Sequence, residues 1–202
     1  MKIIFATNNE HKVIEAQKAV GNNIILIMPK ELGMEEEIPE NGATLEANAE
    51  EKCRYVWERF HLPSFADDTG LEVEALGGAP GVYTARYAGE SKESGANMKK
   101  LLRELSGKTE RRARFRTSIA LIMEGTLYRF EGILNGHIAL SESGTGGFGY
   151  DPLFIPEGFD KTLAELSLEE KNKISHRGKS MRSLALFLNN SGFNGADLNQ
   201  HR

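Results

Sequence analysis

Two adjacent carboxylates, Asp67 and Asp68, follow a short apolar run in "SFADDTGLEV", with Thr69 and Gly70 directly behind them. Neighbouring residues of a strand point to opposite faces, and paired acids repel one another. One of the two is therefore expected to face a ligand while the other has a different role. A carboxylate at the C-terminal edge of a strand, beside a hydroxyl and a glycine, is a common position for a Mg²⁺ ligand in an α/β enzyme. Asp68 is the stronger candidate. Asp67 is expected to support it, hydrogen-bonded to backbone or to a basic side chain.

A second cluster is "ATNNEHK" near the N-terminus. It follows an apolar strand and opens a helix, where free backbone N–H groups and the positive end of the helix dipole attract anions. Thr7, Asn8 and Asn9 add short polar side chains there. Lys12 adds a charge that is unfavourable at a helix N-terminus unless an anion compensates it.

The loop Gly144–Gly149, "GTGGFG", contains a literal G-x-G-x-x-G. No helix follows it, because Pro152 disfavours helical backbone at Asp151, so the dinucleotide-binding reading fails. What remains is glycine-rich backbone that a ligand can approach closely, with Phe148 available as a stacking face. A basic string, "EEKNKISHRGKS", gathers Lys171, Lys173, His176, Arg177 and Lys179; a solvated helix face explains it equally well. The chain has no P-loop signature, no H-E-x-x-H, no C-x-x-C and no G-x-S-x-G, which leaves zinc and serine hydrolase readings unsupported. Arg111, Arg112, Arg114 and Arg116 alternate as a solvated strand face would.

Composition sets the frame for these groups. The chain has 202 residues, a net charge of −4 and one cysteine, Cys53. That length suits one domain, or one domain of two lobes, able to form its own core without disulfides. The acidic balance argues against nucleic acid or a membrane surface as partner, and leaves room for a small anionic ligand in a local basic pocket. Cys53 reads as a small core residue in a reducing compartment. The apolar run at the N-terminus is too short for a signal peptide, and no stretch is long enough to span a membrane, so a cytoplasmic location is expected.

The elements that must position the candidate groups follow from periodicity. Strands are expected over Lys2–Ala6 and Ile24–Met28, with a helix from Lys12 to Val20 between them. Residues 29–43 form an acidic loop. A helix follows from Thr44, its own cap, to His61. The strand carrying the two acids starts at Pro63. A helix over Ser94–Leu105 precedes a strand at Arg112–Met123, which alternates and then becomes continuously apolar. Glu124-Gly125 signals a hairpin into strands at Thr126–Leu134 and Gly136–Leu140. A strand at Leu153–Ile155 follows the glycine-rich loop. Ser167 and Glu170 form a capping box, Gly178 interrupts the helix they start, and Lys179–Leu188 is the terminal helix. The result is an α/β fold, a mixed sheet flanked by helices.

Five ordered blocks, "ATNNEHK", "ENGATLEANAEEK", "ADDTGLEVEALGGAPGVYTARYAG", "GTGGFGYDPLF" and "AELSLEEKNKISHRGKS", resemble the inosine triphosphate pyrophosphatase family. The resemblance runs from Ile3 to about Leu188. It implies an elongated α/β domain over 1–192, two lobes with an active-site cleft between them, a polar tail at 193–202, and a homodimer. The implied reaction is Mg²⁺-dependent hydrolysis of ITP, dITP or XTP to the monophosphate and pyrophosphate. By position, Thr7, Asn8, Asn9, Glu10, His11 and Lys12 resemble the triphosphate loop, and Asp68 the metal-binding acid and general base. Thr69 resembles a substrate-contacting hydroxyl. Phe148, Gly149, Tyr150 and Asp151 resemble the base-lining segment. Lys171, His176 and Arg177 resemble the residues that read the 6-oxo edge. Of Glu35, Glu36, Glu37 and Glu40, the last falls at the second metal ligand's place. Ala47 departs from the acid or glycine common there in the family. A pyrophosphatase for other modified nucleotides and a nucleotide-sensing module are the alternative readings.

Overall fold

The computed structural model describes residues 1–190, and the polar tail read at 193–202 lies outside the described residues. Six strands, β1 (Lys2–Phe5), β2 (Ile25–Ile27), β3 (Ser64–Val73), β4 (Arg112–Met123), β5 (Thr126–Ile138) and β6 (Phe154–Pro156), form one sheet in the order β2-β1-β3-β4-β5-β6. β1 pairs in parallel with β2 and β3, and β5 pairs antiparallel with β6, so the sheet is mixed as expected. The helices are α1 (Glu10–Val20), α2 (Leu45–Phe60), α3 (Ser94–Glu104), α4 (Leu168–Ile174) and α5 (His176–Asn190). Among the described residues, no helix is long and apolar enough to cross a membrane.

The chain divides into two units. Among the described residues, the first comprises Met1–Asp68, Ser118–Glu131 and the helix residues from Lys179 to Asn190; the second comprises Thr69–Thr117 and Gly132–Gly178. In the first, strand alternation sends residues to two separate cores. Ile3, Phe5, Phe65, Ile119, Leu121 and Met123 pack with Ala16 and Val20 of α1 and with Met181, Leu184 and Leu188 of α5. Ile4, Ala6, Ala66, Ala120 and Ile122 pack on the other side with Ala49, Cys53 and Val56 of α2. The sheet there is covered on both faces, which is why 119–123 reads as unbroken apolar sequence.

In the second unit only one face is covered by a core. Leu71, Val73, Ala113, Phe115, Leu134 and Ile138 pack with Met98, Leu101 and Leu105. The intervening Glu72, Arg114 and Arg116 pair with one another instead: Arg114 Nε lies 2.6 Å and Arg116 Nη2 2.9 Å from the Glu72 carboxylate. The arginine run is thus ion-paired rather than simply solvated. Arg111 differs again, donating to the carbonyls of Ile138 (2.7 Å), Ala139 (2.7 Å) and Leu105 (3.2 Å).

Several expected boundaries move. β3 does not end at the acids but continues to Val73. What ends there is its neighbour: β1 pairs with β3 only through Ile4↔Ser64 and Phe5↔Phe65. α1 begins at Glu10, not Lys12, because Asn9 Oδ1 accepts the Lys12 N–H at 3.3 Å as an N-cap. The break between α4 and α5 falls at Ser175, whose extended backbone (ψ 144°) stops α4; its Oγ then accepts the Gly178 N–H at 3.0 Å. Gly178 lies inside α5. The last strand covers Phe154–Pro156, one residue later than read. Glu124 and Gly125 both have positive φ (49° and 74°), the two-residue turn expected for the hairpin.

The strands read separately at Thr126–Leu134 and Gly136–Leu140 are one strand, β5. Gly136 does not interrupt it. It pairs with Pro156, and a Cβ there would overlap the Ile155 carbonyl oxygen and the Phe154 ring. Gly136→Ala is therefore expected to push β6 away, at a cost of about 2 kcal/mol, typical of overpacking. A thermal melt checks this, with Tm expected to fall by roughly 4–8 °C for a chain of this size; an unchanged Tm would contradict the close approach.

Candidate active site

Asp67 and Asp68 sit mid-strand and face different partners, as alternation requires. Asp67 is 1% exposed, and the Lys12 ammonium lies 2.8 Å from its Oδ1. The anion that compensates Lys12 at the start of α1 is therefore a carboxylate of the protein itself. Asp67 has the basic side chain expected of it.

Asp68 has a different environment. Its Oδ2 accepts from Asn48 Nδ2 at 3.0 Å, and its Oδ1 lies 3.6 Å from Lys52 Nζ. The same ammonium is 2.6 Å from Glu40 Oε1. Glu40, Asp68, Asn48 and Lys52 thus converge, and Glu40 is the acid of the 35–40 loop that the structure brings to Asp68. Burial is the largest influence on Asp68 and raises its pKa; Lys52 and the Asn48 hydrogen bond pull the other way without cancelling it. Burial alone would lower Lys52, but the fields of Asp68, Asp67 and Glu40 outweigh it and hold Lys52 above its ordinary value.

Asn48 and Lys52 were absent from the candidate residues of the sequence. A signal existed. Leu45, Ala49, Cys53 and Val56 make the buried stripe of α2, and Asn48 and Lys52, one turn apart, are polar residues buried alongside it. Polar side chains placed on an apolar stripe need a partner. Asn48 Oδ1 also accepts the Gly42 N–H at 2.7 Å, tying the acidic loop to α2. Cys53 is a buried core residue: its thiol donates to the Ser64 carbonyl, and burial pushes its pKa up to about 12.

The N-terminal loop is internally organised. Thr7 Oγ1 accepts the Asn9 N–H at 3.1 Å, and Asn8 is exposed. Glu10 pairs with Lys30 at 2.6 Å. His11 lies in the first turn of α1.

In the second unit, Asp151 is the organising group. Its Oδ2 accepts the Phe148 N–H at 2.9 Å and pairs with Lys171. Lys171 Nζ also lies 4.7 Å from the centroid of the Phe148 ring, a cation–π arrangement. Phe148 is 62% exposed and so not a core residue. A Cβ on Gly147 would strike the Asp151 carboxylate, so the loop closes on Asp151 only with glycine there. Beside Gly149, Tyr150 is buried in the core, and its hydroxyl donates to the Thr84 carbonyl at 3.0 Å. The His176 ring stacks on Phe115 at 4.9 Å, and Arg177 follows it, half-buried, in the first turn of α5. Thr69 Oγ1 shares a 2.8 Å hydrogen bond with Thr117 Oγ1. Elsewhere in this unit a groove of about 840 Å³ is lined by Glu72, Arg112, Arg114, His137 and Phe159, and by none of the candidate residues.

The first unit thus holds a carboxylate pair around a buried ammonium, and the second holds an exposed aromatic beside a lysine. Comparison with known proteins gives them a context. The family model of the Ham1 family matches residues 3–187. The chain belongs to the Ham1 family. Relatives in this family include the dITP/XTP pyrophosphatase of Flavobacterium johnsoniae, 50% identical over 184 residues, covering 91% of this chain and 96% of the relative. The dITP/XTP pyrophosphatase of Porphyromonas gingivalis is 50% identical over 188 residues, covering 93% and 97%. Among solved structures, the Ham1 protein of Staphylococcus aureus superposes with a TM-score of 0.90 at 40% identity, covering 95% of this chain and 100% of that one. A HAM1 protein from Coxiella burnetii gives 0.89 at 35% identity, covering 94% and 98%. The fold read from the sequence is thus the Ham1 fold.

The Asn48 hydrogen bond favours ionised Asp68, so its removal must raise the Asp68 pKa further. Asn48→Ala is expected to move the Asp68 carboxyl midpoint upward in a carbon-13 NMR pH titration. A lowered or unmoved midpoint would refute the assignment of Asn48 as its donor.

Proposed function

We propose that this Ham1-family chain is a nucleoside triphosphate pyrophosphohydrolase acting on non-standard purine nucleotides, dITP, ITP and XTP. The observation that supports it most directly is the convergence of Glu40 and Asp68 on one cation, in a chain half-identical to dITP/XTP pyrophosphatases.

Mg²⁺ fits the residues present. Glu40 and Asp68 already hold a cation in common, the Lys52 ammonium. Among the described residues, no group of three or more His, Cys, Asp or Glu could hold a metal ion. Mg²⁺ is commonly bound by only one or two carboxylates, with substrate phosphate and water completing its shell. Glu40 and Asp68 would hold it, and when bound it would supply electrostatic polarisation of the phosphoryl group.

The side chains have separable tasks. Asp68 takes the proton of the attacking water; its raised pKa brings its basicity closer to neutral pH, where a general base works best. Attack is at the α-phosphorus, and the bond to the bridging oxygen breaks, releasing pyrophosphate and leaving the monophosphate. Thr7 to Lys12 hold the triphosphate, and Thr69 contacts the substrate. Asp67 keeps Lys12 in place. Phe148 offers its exposed face to the base, with Gly149 to Asp151 shaping the segment and Lys171 fixed beside it. His176 and Arg177 donate to the 6-oxo group. Adenine presents an amino donor there, and two donors facing each other cost about 1–3 kcal/mol.

We infer further that residues 1–192 act as one catalytic domain, that the enzyme is a homodimer, and that it works in the cytoplasm, where a reduced thiol such as Cys53 belongs. A panel of nucleotides with and without Mg²⁺ tests the reaction. ITP, dITP and XTP are expected to yield monophosphate and pyrophosphate with Mg²⁺ present, and ATP far less. Stepwise release of inorganic phosphate from the γ end would overturn the assignment. Asp68→Asn is expected to lower kcat by at least about 10³-fold, within the range of general-base and metal-ligand losses, whereas Asp67→Asn retains measurable turnover.

A further inference from the structure

Lys52 is a buried lysine without a role in the chemistry set out above. Its side chain is 6% exposed, and its stem is fixed on α2. Its Nζ occupies the space where the two candidate metal ligands meet, 2.6 Å from Glu40 Oε1 and 3.6 Å from Asp68 Oδ1. Asn48 Nδ2 donates to the other oxygen of Asp68 at 3.0 Å, so each carboxylate oxygen faces a side chain of α2. Asp67 contributes a further negative charge nearby, answered by Lys12.

We propose that Lys52 is a positioning residue, a resident counter-ion that assembles Glu40 and Asp68 in the absence of metal and must be displaced from between them when a divalent cation binds. This rests on the Mg²⁺ reading of the Glu40–Asp68 pair. An ammonium and a divalent cation of similar reach cannot share the same two carboxylate oxygens without strong repulsion. A free metal ion therefore has to evict a buried charge and leave it without a partner, which is costly. A metal ion arriving with a triphosphate brings anionic oxygens that give the displaced ammonium a new partner. The exchange makes metal binding conditional on nucleotide, a coupling of two ligands through one side chain.

The test is Mn²⁺ binding measured by EPR, with readouts that do not depend on turnover. Wild-type protein is expected to bind free Mn²⁺ weakly, and to bind it much more tightly with a non-hydrolysable α,β-methylene purine triphosphate. Lys52→Met is expected to bind free Mn²⁺ at least tenfold more tightly than wild type, to lose most of the gain given by the nucleotide, and to melt at a lower temperature until Mn²⁺ is added. Lys52→Gln should behave the same way, whereas Lys52→Arg should keep wild-type coupling. If Lys52→Met and Lys52→Gln bind free Mn²⁺ no better than wild type, the proposal is overturned. If wild type binds no Mn²⁺ even with the nucleotide, the metal reading itself fails, and the Lys52 proposal with it. Should the neutral variants not fold, ¹⁵N-lysine-labelled wild type carries the test: the Lys52 ammonium resonance must shift when Mg²⁺ and the analogue are added together, and an unshifted resonance overturns the exchange.

Discussion

Carboxylate charge placed in the middle of a buried strand has to be answered from inside the protein, and the first unit is arranged around that demand. An isolated buried charge costs more than the whole net stability of a typical domain. Asp67 and Asp68 therefore each require a cation or strong donors. Asp67 takes Lys12 from the start of α1, and Asp68 takes Asn48 and Lys52 from α2. Both helices are held against β3 by separate cores on opposite faces of the sheet. The alternation that sends Phe65 to one core and Ala66 to the other also sends the two acids to different helices.

The same alternation explains why the sheet changes character along its length. Where helices cover both faces, β4 is apolar at every position from Ile119 to Met123. Where a core covers one face, the other becomes rows of Glu72, Arg114 and Arg116 that neutralise each other. Polar pairing there is structural. The groove beside it is large, yet it holds none of the candidate site residues. Size alone does not mark a site; converging groups with shifted ionisation do.

The two units hold unlike environments. In the first, Glu40 and Asp68 share one cation; in the second, an exposed aromatic lies beside a fixed lysine. Asp151 organises the second: it is engaged by Lys171 and the Phe148 N–H. Asp67 does the same for Lys12. In both places one carboxylate holds a lysine.

Much of this was legible in the sequence. Hydrophobic period, the Ser167 capping box, the Glu124-Gly125 turn and the five ordered motif blocks are local signals, and local backbone physics acts on them directly. They determined the α/β class and the order of elements, and they singled out Asp68 as the candidate acid. The sequence alone left open where β3 ends, whether β5 is one strand, and what Lys12 faces. Only the tertiary structure decided these. Strand ends depend on where a neighbour stops pairing, and Gly136 marks a close approach by β6 rather than a break. The partners of buried charges are set by packing between distant segments: Lys12 and Asp67 are 55 positions apart, and Asn48 and Asp68 are 20 apart. Spacing along a chain carries no record of such pairs, because desolvation selects them only once the core has closed around them.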